Sequence, residues 1–393
     1  MTDADRPDPT ARPPSAEVWR SLLSEPVLAG GAVPWLAPAA LDHLGDPDGE
    51  RVALLGGEPV LLPRLALGHL RLTGADRVPF VQGLVSHDVA GLAEGAAVDA
   101  LLLDHRGQPQ AGLTVVRRRD DLFIAVDDGA GAAVKRTLDE HVIFDQVVVA
   151  DQGARLASLT VCAADAAAAG AVLEAAWPGA ATGLAGAVAA TAPTEVVAPV
   201  AGVTTPHGRA LLRPRRFGAG WAVDVHLLAD DLAVAWPAWI AAGARAVGER
   251  AWTAGRVAHG VASAHAEGRL GLPQETGLEA RVSYRKGCYL GQEIMARIEA
   301  RGRLRRRLRS VWLAGPPPAL GAARGWRLED AAGRAVGELG SAAPAPDGDG
   351  WWGLAVVRDD ADGAIAWRVV VDGEPPRVGP LEVVVSLRPA AGP

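Results

Sequence analysis

The pattern of apolar and polar positions in the first third of the chain predicts an α+β unit. Residues 65–74 alternate between apolar and polar side chains, which is typical of a half-buried strand. Asp76 follows in a position to cap a helix whose apolar residues recur at helical spacing, namely Val78, Val81, Leu84 and Val85. Further elements complete the unit: a strand over 97–104, a hairpin over 112–118 and 121–128, a helix over 130–141 and a strand over 144–151.

A second α+β unit follows the first. Its predicted elements are a strand over 156–162, a helix over 163–177 and paired strands over 209–217 and 221–228. A helix capped by Asp230 or Asp231 is expected to end near residue 242, and another spans 248–259. The Ala/Gly-rich run that leads to Pro199 fits neither a helix nor a strand pattern clearly.

From residue 303 onward the pattern changes to short strands separated by Gly-rich or Pro-rich turns, ending with one over 381–388. Regularly spaced short strands favour a small barrel or a sandwich. The sequence therefore predicts an α+β protein with four parts. They are a partly irregular N-terminal extension (1–60), a first α+β module (61–155), a second module (156–302) and a C-terminal β-barrel (303–393).

The composition excludes several classes of protein. The 393 residues carry a formal net charge of −7, which argues against a general binder of DNA or anionic membranes. Two cysteines, Cys162 and Cys288, are too few for a disulfide framework or a four-cysteine metal site, so a reducing compartment is expected. No stretch reads as a signal peptide or a membrane span, and we expect a cytoplasmic protein.

Side chains that are rare in this chain gather in residues 284–295. This segment holds both tyrosines, one of the two cysteines, one of the two methionines and Lys286, one of two lysines. When residue types that are rare in a chain are concentrated in one segment, this indicates that the segment requires those particular side chains. The segment is therefore the first candidate for a functional site.

The residue types in this segment predict a reactive thiol. Gly287 and Gly291 permit a tight turn, and good helix formers follow it, so Cys288 is expected near a helix N-terminus with Lys286 close by. Both features favour the thiolate, which is the reactive form of cysteine. Gln292 and Glu293 add hydrogen-bonding and proton-accepting groups. The alternative is a buried cysteine in a glycine turn, with Lys286 exposed to solvent.

The eight residues from Lys286 to Glu293 read K-G-C-Y-L-G-Q-E and resemble the K-G-C-[YF]-x-G-Q-E signature of the YgfZ family. Those proteins are folate-binding relatives of the glycine-cleavage T-protein. Three further motifs of the family have similar stretches in this chain. The first comprises residues 73–76 and 82–89, the second residues 272–275 and the third residues 333–340. The resemblance covers about residues 65–390 and leaves the first 60 residues outside it.

The resemblance implies a fold and a function. The fold is that of the T-protein (aminomethyltransferase), with two interleaved α+β modules around a central channel for tetrahydrofolate and a C-terminal β-barrel. The function is assembly or repair of iron–sulfur clusters in client enzymes, with Cys288 and Lys286 as catalytic residues and Tyr289 within the motif turn. Trp252 matches a family tryptophan that contacts folate, and Arg256 on the same predicted helix is assigned to the same cofactor. A second family tryptophan is replaced by Leu67.

Two departures from the related transferases bear on the reaction. Aminomethyltransferases of this fold carry paired aspartates where this chain has Ala111 and Gly112, and a further acidic residue where it has Ala258. Aminomethyl transfer requires a positioned acid or base, so this reaction is not expected.

Other functions remain open at the level of sequence. One is a folate-dependent one-carbon transferase, and another is a non-catalytic regulator that binds folate or tRNA through the seven arginines of residues 297–309. Whether the chain is an enzyme is left open. No metal site is predicted, because four scattered histidines show no familiar ligand spacing: His207, His226, His259 and His265.

Overall fold

The computed structural model describes residues 18–19, 21–23, 27–28, 41–127, 129–191, 196–313, 326–330, 332–345, 350–361 and 368–371. The strands are β1 (Val27–Leu28), β2 (Leu41–His43), β3 (Val60–Pro63), β4 (Gly68–Thr73), β5 (Ala96–Leu103), β6 (Pro109–Arg117), β7 (Leu122–Val126), β8 (Val148–Asp151), β9 (Leu156–Ala163), β10 (Val197–Pro199), β11 (Ala201–Thr204), β12 (Arg209–Phe217), β13 (Gly220–Leu228), β14 (Arg245–Ala246), β15 (Arg306–Leu313), β16 (Trp326–Glu329), β17 (Ala335–Pro344), β18 (Trp351–Arg358) and β19 (Arg368–Val371). The α-helices are α1 (Pro47–Leu55), α2 (Arg77–Gln82), α3 (Gly131–His141), α4 (Ala166–Glu174), α5 (Ala180–Ala189), α6 (Ala229–Ala241), α7 (Glu249–His259) and α8 (Gln292–Arg301).

Two six-stranded sheets form the centre of the protein, and each borrows a strand from the other half of the chain. The first sheet has the order β10-β5-β6-β7-β4-β8 and the second β11-β12-β13-β9-β3-β14. Strand β10 follows the helices of the second module yet pairs with β5, and β3 precedes the first sheet yet pairs with β9. The predicted interleaving of two α+β modules is therefore confirmed.

Each sheet has one apolar face covered by helices. On β9, Leu159 and Val161 pack with residues of the helices, among them Leu173 and Trp239. The first sheet packs in the same way on Val81 of α2 and on residues of α3. Successive side chains of a strand point to opposite faces, so the alternate residues of both sheets are left to face each other.

The two inner faces meet through largely buried polar side chains. Arg213 on β12 donates to the Asp99 carboxylate on β5 over 2.7 Å. Ser158 Oγ on β9 lies 2.7 Å from His69 Nε2 on β4 and 2.7 Å from His226 Nδ1 on β13. Buried polar groups are stable only when they are hydrogen-bonded, so these contacts fix how the two sheets lie against each other.

Burial keeps both histidines of this junction neutral. It lowers the pKa of His69 to about 4 and that of His226 to about 3, where the neighbouring His69 acts in the same direction. Desolvation disfavours the charged imidazolium form. The hydrogen bonds to Ser158 are accordingly made between neutral groups.

The C-terminal strands form a five-stranded antiparallel sheet in the order β15-β18-β17-β16-β19. Closure of this sheet into the predicted barrel stays a prediction, because the strand predicted over 381–388 lies outside the described residues. The division of the chain at residues 60, 155 and 302 also stays a prediction. Most of the extension 1–60 lies outside the described residues, but its last part forms β2 and α1.

Three local predictions were wrong in detail. The helix after Asp76 ends at Gln82, so it does not reach Leu84 and Val85, and the Asp76 carboxylate accepts a hydrogen bond from the Gln146 amide instead of capping the helix. Helix α6 begins after Leu228, without a side-chain cap from either aspartate. The predicted helix 163–177 is shorter, and part of the unclear Ala/Gly run forms α5.

Asp231 has another partner in this arrangement. Its fully buried carboxylate accepts hydrogen bonds from Thr205 and His207, so it fixes the β11–β12 turn to α6. Among the described residues, none of the helices is both long and apolar enough to cross a lipid bilayer.

Candidate functional site

Cys288 lies on an exposed turn that leads into helix α8. The thiol is free and the residue is exposed. Gly291 takes the N-cap position of α8 with φ +83°, and a Cβ atom there would lie 2.6 Å from the carbonyl oxygen of Asp104. Only glycine combines this left-handed conformation with so close an approach. At Gly287, by contrast, no described atom lies within 4 Å of a Cβ position.

Tyr289 and Gln292 close the turn after the cysteine. The Tyr289 amide donates to Oε1 of Gln292 over 3.2 Å, and the Gln292 amide donates to the Tyr289 carbonyl. The Tyr289 ring is buried with Leu101, Leu103 and Met295, and burial raises the pKa of its hydroxyl to about 12. Tyr289 is therefore an apolar anchor for the turn.

Tyr284 precedes Tyr289 in the sequence and Glu293 follows it, and their side chains have different partners. The Glu293 carboxylate is exposed to solvent and pairs with Arg297 one helical turn later, at 3.0 Å. The Tyr284 hydroxyl accepts a hydrogen bond from the Gln274 amide over 2.8 Å. Glu293 thus contacts its own helix, whereas Tyr284 ties the turn to the segment 272–275.

The Lys286 ammonium is directed into a ring of backbone carbonyls. Its Nζ atom donates to the oxygens of Gln82 and Val85, both at 2.5 Å, and of His87 at 3.3 Å. It also lies 4.8 Å from the centre of the Tyr289 ring. Burial lowers the pKa of Lys286 to about 8, against the opposing effect of the Asp88 carboxylate. All three N–H groups of the ammonium are thus used by the segment after α2.

Ser86 joins the same two segments. Its hydroxyl donates to the Arg281 carbonyl over 2.6 Å and accepts from the Leu101 amide over 2.8 Å. Its own carbonyl accepts from the Ser283 amide over 2.9 Å. Ser86 is fully buried, so these bonds are shielded from water. The cysteine-bearing segment is therefore fastened to the first sheet on both sides of Lys286.

Gly112, where the resemblance places an aspartate in the aminomethyltransferases, lies beside an ion pair that leaves no room for a side chain. A Cβ atom at this position would lie 2.3 Å from Oδ2 of Asp127 and 2.7 Å from a terminal nitrogen of Arg281. These two side chains form an ion pair at 3.2 Å across the glycine. The carboxylate of Asp127, the residue after the neighbouring strand β7, thus reaches the region that a side chain at 112 would occupy, and Arg281 neutralises it.

Trp252 on α7 is a packed residue. Its ring stacks on Phe217 with centroids 4.3 Å apart and is 6% exposed. The guanidinium of Arg215 lies 5.1 Å from the ring centre. These contacts occupy the ring, and its predicted contact with folate stays a prediction.

Arg256 is likewise engaged inside the protein. It donates to Glu267 over 3.2 Å and to the Val261 carbonyl over 2.9 Å. Glu267 is fully buried and also accepts a hydrogen bond from the Ser341 hydroxyl of β17. Arg256 therefore joins α7 to the C-terminal sheet, and its predicted role in cofactor binding is not tested by these contacts.

The two cysteines differ sharply. Cys162 on β9 is buried, and desolvation raises the pKa of its thiol to about 12. A buried protonated thiol is inert, whereas Cys288 is accessible. Among the described residues, no group of three or more histidine, cysteine or acidic side chains is placed to hold a metal ion.

The structure adds three residues to the site that sequence reasoning did not assign to it, namely Gln82, Ser86 and Arg281. Gln82 and Ser86 lie within the first motif stretch, but nothing in the sequence alone indicates that this stretch contacts residues almost 200 positions later. Arg281 has no sequence signal at all.

Comparison with known proteins gives the fold first. No protein-family model matches the chain. The structure is similar to the glycine cleavage system aminomethyltransferase T from Bartonella henselae, with a TM-score of 0.73 over 95% of this chain and 96% of that one at 15% identity. The chain therefore has the fold of the glycine-cleavage T-protein.

Comparison of amino-acid sequences identifies two kinds of relative. The chain is 28% identical to the tRNA-modifying protein YgfZ of Yersinia pseudotuberculosis over 317 residues, 75% of this chain and 87% of that protein. It is 39% identical over 94 residues to the mitochondrial iron–sulfur cluster assembly factor IBA57 of Mus musculus, which is 23% of this chain and 25% of that factor. The predicted resemblance to the YgfZ family is confirmed.

Proposed function

We propose that this chain is a tetrahydrofolate-binding accessory factor for the assembly or repair of iron–sulfur clusters, with Cys288 as its reactive group. The observation that carries the proposal is the exposed, free thiol on a turn held by Lys286, Tyr289 and Gly291. The names of the two relatives support the process, since one is a tRNA-modifying protein and the other an iron–sulfur cluster assembly factor.

A partner is part of the proposal. Iron–sulfur clusters are held by several ligands, usually four cysteines, and Cys288 is one exposed thiol. The remaining ligands would come from a client enzyme or an assembly factor. The two free cysteines also support a reducing, cytoplasmic setting.

We propose Asp127 and Arg281 as folate contacts, in addition to the sequence-predicted Trp252 and Arg256. A pterin ring offers both hydrogen-bond donors and acceptors, and this carboxylate and guanidinium lie side by side and are both about a quarter exposed. Trp252 and Arg256 would have to leave their present partners to reach a ligand. We therefore place these folate contacts at the ion pair beside Gly112.

Thermal denaturation tests this folate site. Tetrahydrofolate at a hundredfold excess over its dissociation constant should stabilise the protein by about 2.7 kcal/mol. Asp127→Asn and Arg281→Gln should each reduce the shift, whereas Lys135→Gln in the middle of α3 should not. The absence of any shift at millimolar folate would refute folate binding.

The cellular role is tested by complementation. In a bacterial strain that lacks its own homologue, the wild-type protein should restore the activity of an iron–sulfur enzyme, and Cys288→Ala should not. Cys162→Ala, which changes the buried thiol, is the matched control and should restore activity. Full rescue by Cys288→Ala would remove the thiol from the mechanism.

The fold also supports a second candidate, a folate-dependent aminomethyl or one-carbon transferase, because a transferase has the same fold. The Arg281–Asp127 pair over Gly112 argues against it, since the carboxylate there is neutralised. An assay for methylene-tetrahydrofolate formed from an aminomethyl donor decides between them, and measurable turnover would favour the transferase.

A non-catalytic regulator that binds tRNA finds less support. Three of the arginines in residues 297–309 are in ion pairs, namely Arg297 with Glu293, Arg306 with Glu275 and Arg307 with Asp359. Salt-dependent RNA binding that is lost when Arg303 and Arg305 are replaced would restore this alternative.

A further inference from the structure

The turn that presents Cys288 is held by a receptor built from a distant part of the chain. The receptor consists of residues 82–90, which begin with the last residue of helix α2 and continue into the loop after it, and we call it the carbonyl ring. Three of its carbonyl oxygens converge on the Lys286 ammonium, those of Gln82, Val85 and His87. The Gln82 carbonyl is at the C-terminal end of α2, where carbonyl groups carry partial negative charge and have no partner within the helix, so a lysine there satisfies both needs.

Gln82 gives the carbonyl ring its shape. Its side-chain Oε1 accepts from the amides of Val89 and Ala90, at 2.7 and 3.1 Å, and its Nε2 donates to Asp88 over 3.0 Å. The side chain thereby folds residues 82–90 back on themselves. One residue thus supplies a carbonyl to Lys286 and also fixes the loop that supplies the other two.

We infer that Lys286 and Gln82 are positioning residues, which act on Cys288 by holding its turn in place and not by activating its sulfur. This inference rests on the proposed function for its biological meaning. Three N–H groups of Lys286 are spent on carbonyls, so none is left to donate to the thiol. Ser86 reinforces the attachment through the Arg281 carbonyl and the Ser283 amide.

Two measurements on full-length variants separate positioning from activation. The first is backbone amide exchange at Ser283 and Tyr289, whose amides bond Ser86 and Gln292. The second is the pH at which alkylation of Cys288 is half-maximal. Lys286→Met removes the ammonium and keeps the chain length, and Lys135→Met, which breaks only a surface pair with Asp139, is the matched control.

For positioning, Lys286→Met should speed exchange at both amides by roughly tenfold or more, since the turn then opens locally. The half-maximal pH of alkylation should stay where it is in the wild type. Gln82→Leu should reproduce this result, and the double variant should add little, because both changes dismantle one contact. An upward shift of the half-maximal pH in Lys286→Met, with exchange unchanged, would overturn the inference.

The wild-type protein gives an independent answer if a variant fails to fold. The chain has only two lysines, so acetylation can be followed at Lys286 and Lys135 in one sample. The reaction is run at about pH 10.4, where a lysine of ordinary pKa is also half deprotonated, so that the lowered pKa of Lys286 does not by itself speed its acetylation. If Lys286 is held by the carbonyl ring, it should react roughly tenfold more slowly than Lys135, because its amine must first leave the three carbonyl oxygens. Faster acetylation of Lys286 than of Lys135 would show that the Lys286 amine is free, and it would contradict the hydrogen bonds to the carbonyl ring. These readouts do not depend on cellular function, so loss of the proposed function in the complementation test would leave them intact.

Discussion

Arg213 on β12 and Asp99 on β5 form an ion pair at 2.7 Å between the two central sheets. The arginine side chain is almost completely buried, and Thr114 donates a further hydrogen bond to the aspartate. The surrounding arginines hold the pKa of Asp99 below its ordinary value even though burial acts in the opposite direction. The two modules are thus joined by charge as well as by strand exchange.

Removing one partner of this pair should destabilise the protein strongly. Asp99→Asn leaves the Arg213 guanidinium buried beside Asp224 alone, and breaking a buried pair in this way costs about 3 to 5 kcal/mol. Urea denaturation measures the loss. Asp360→Asn, which breaks an exposed pair with Arg358, should change the stability little. Equal effects of the two substitutions would contradict the burial of the intermodule pair.

The His69–Ser158–His226 junction predicts how stability depends on pH. Both histidines have a lower pKa in the folded state than the ordinary 6.5, because burial disfavours their charged forms. Below pH 6.5 the unfolded chain therefore binds protons that the native state does not. Stability should fall as the pH drops from about 6.5 to about 4, by about 1.4 kcal/mol per pH unit for each histidine.

Denaturant titrations across this pH range check the effect. Replacing both buried histidines by glutamine should flatten the profile, although it also lowers stability at neutral pH through lost packing. His141→Gln on the exposed end of α3 is the control and should leave the slope unchanged. A profile that stays equally steep without His69 and His226 would place the dependence elsewhere.

The two glycines of the signature should respond differently to alanine. Gly291→Ala forces a left-handed alanine against the Asp104 carbonyl, and the conformation alone costs about 1 to 2 kcal/mol. Gly287→Ala meets open space among the described residues and should be close to neutral for stability. Thermal melts of the two variants make the comparison, and equal destabilisation would show that the turn differs from this structure.

Restoring an aspartate at position 112 should not create a transferase. Its side chain would displace the Arg281–Asp127 pair and bring two carboxylates together. We expect Gly112→Asp to weaken stabilisation by tetrahydrofolate and to leave methylene-tetrahydrofolate formation at background. Turnover in this variant would mean that a single missing carboxylate separates this chain from the transferases.

The sequence predicted those elements whose pattern is local. Strand β12 occurs at its predicted bounds, and β13 begins only one residue early, because the Gly-Ala-Gly turn between them marks where the two strands meet. The interleaving of the two modules was expected from the family resemblance, but the apolar pattern did not indicate that β10 and β3 are the exchanged strands, since edge pairing joins segments that are far apart in the chain. The apolar periodicity also made the predicted helix after Asp76 too long, because Leu84 and Val85 continue its apolar spacing and the Val85 amide still donates to the Val81 carbonyl over 3.1 Å, although the helix ends at Gln82.

In the candidate site, too, the local features could be predicted from the sequence and the long-range contacts could not. Rare residues marked the turn around Cys288, and the left-handed conformation of Gly291 agrees with the use of glycine there. The acceptors of Lys286 could not be predicted, because they are backbone groups about 200 residues earlier, which carry no sequence signal. For the same reason the sequence could not show that the side chains of Asp127 and Arg281 fill the space next to Gly112.

The central claim is that this protein exposes one of its two thiols, that of Cys288, and buries the other, that of Cys162. Alkylation of the native full-length protein with iodoacetamide, followed by peptide mass spectrometry, measures this directly. The structure predicts complete labelling of Cys288 while Cys162 stays unmodified until the protein is unfolded. Labelling of Cys162 at a comparable rate, or a Cys288 that resists the reagent in the folded protein, would contradict the account.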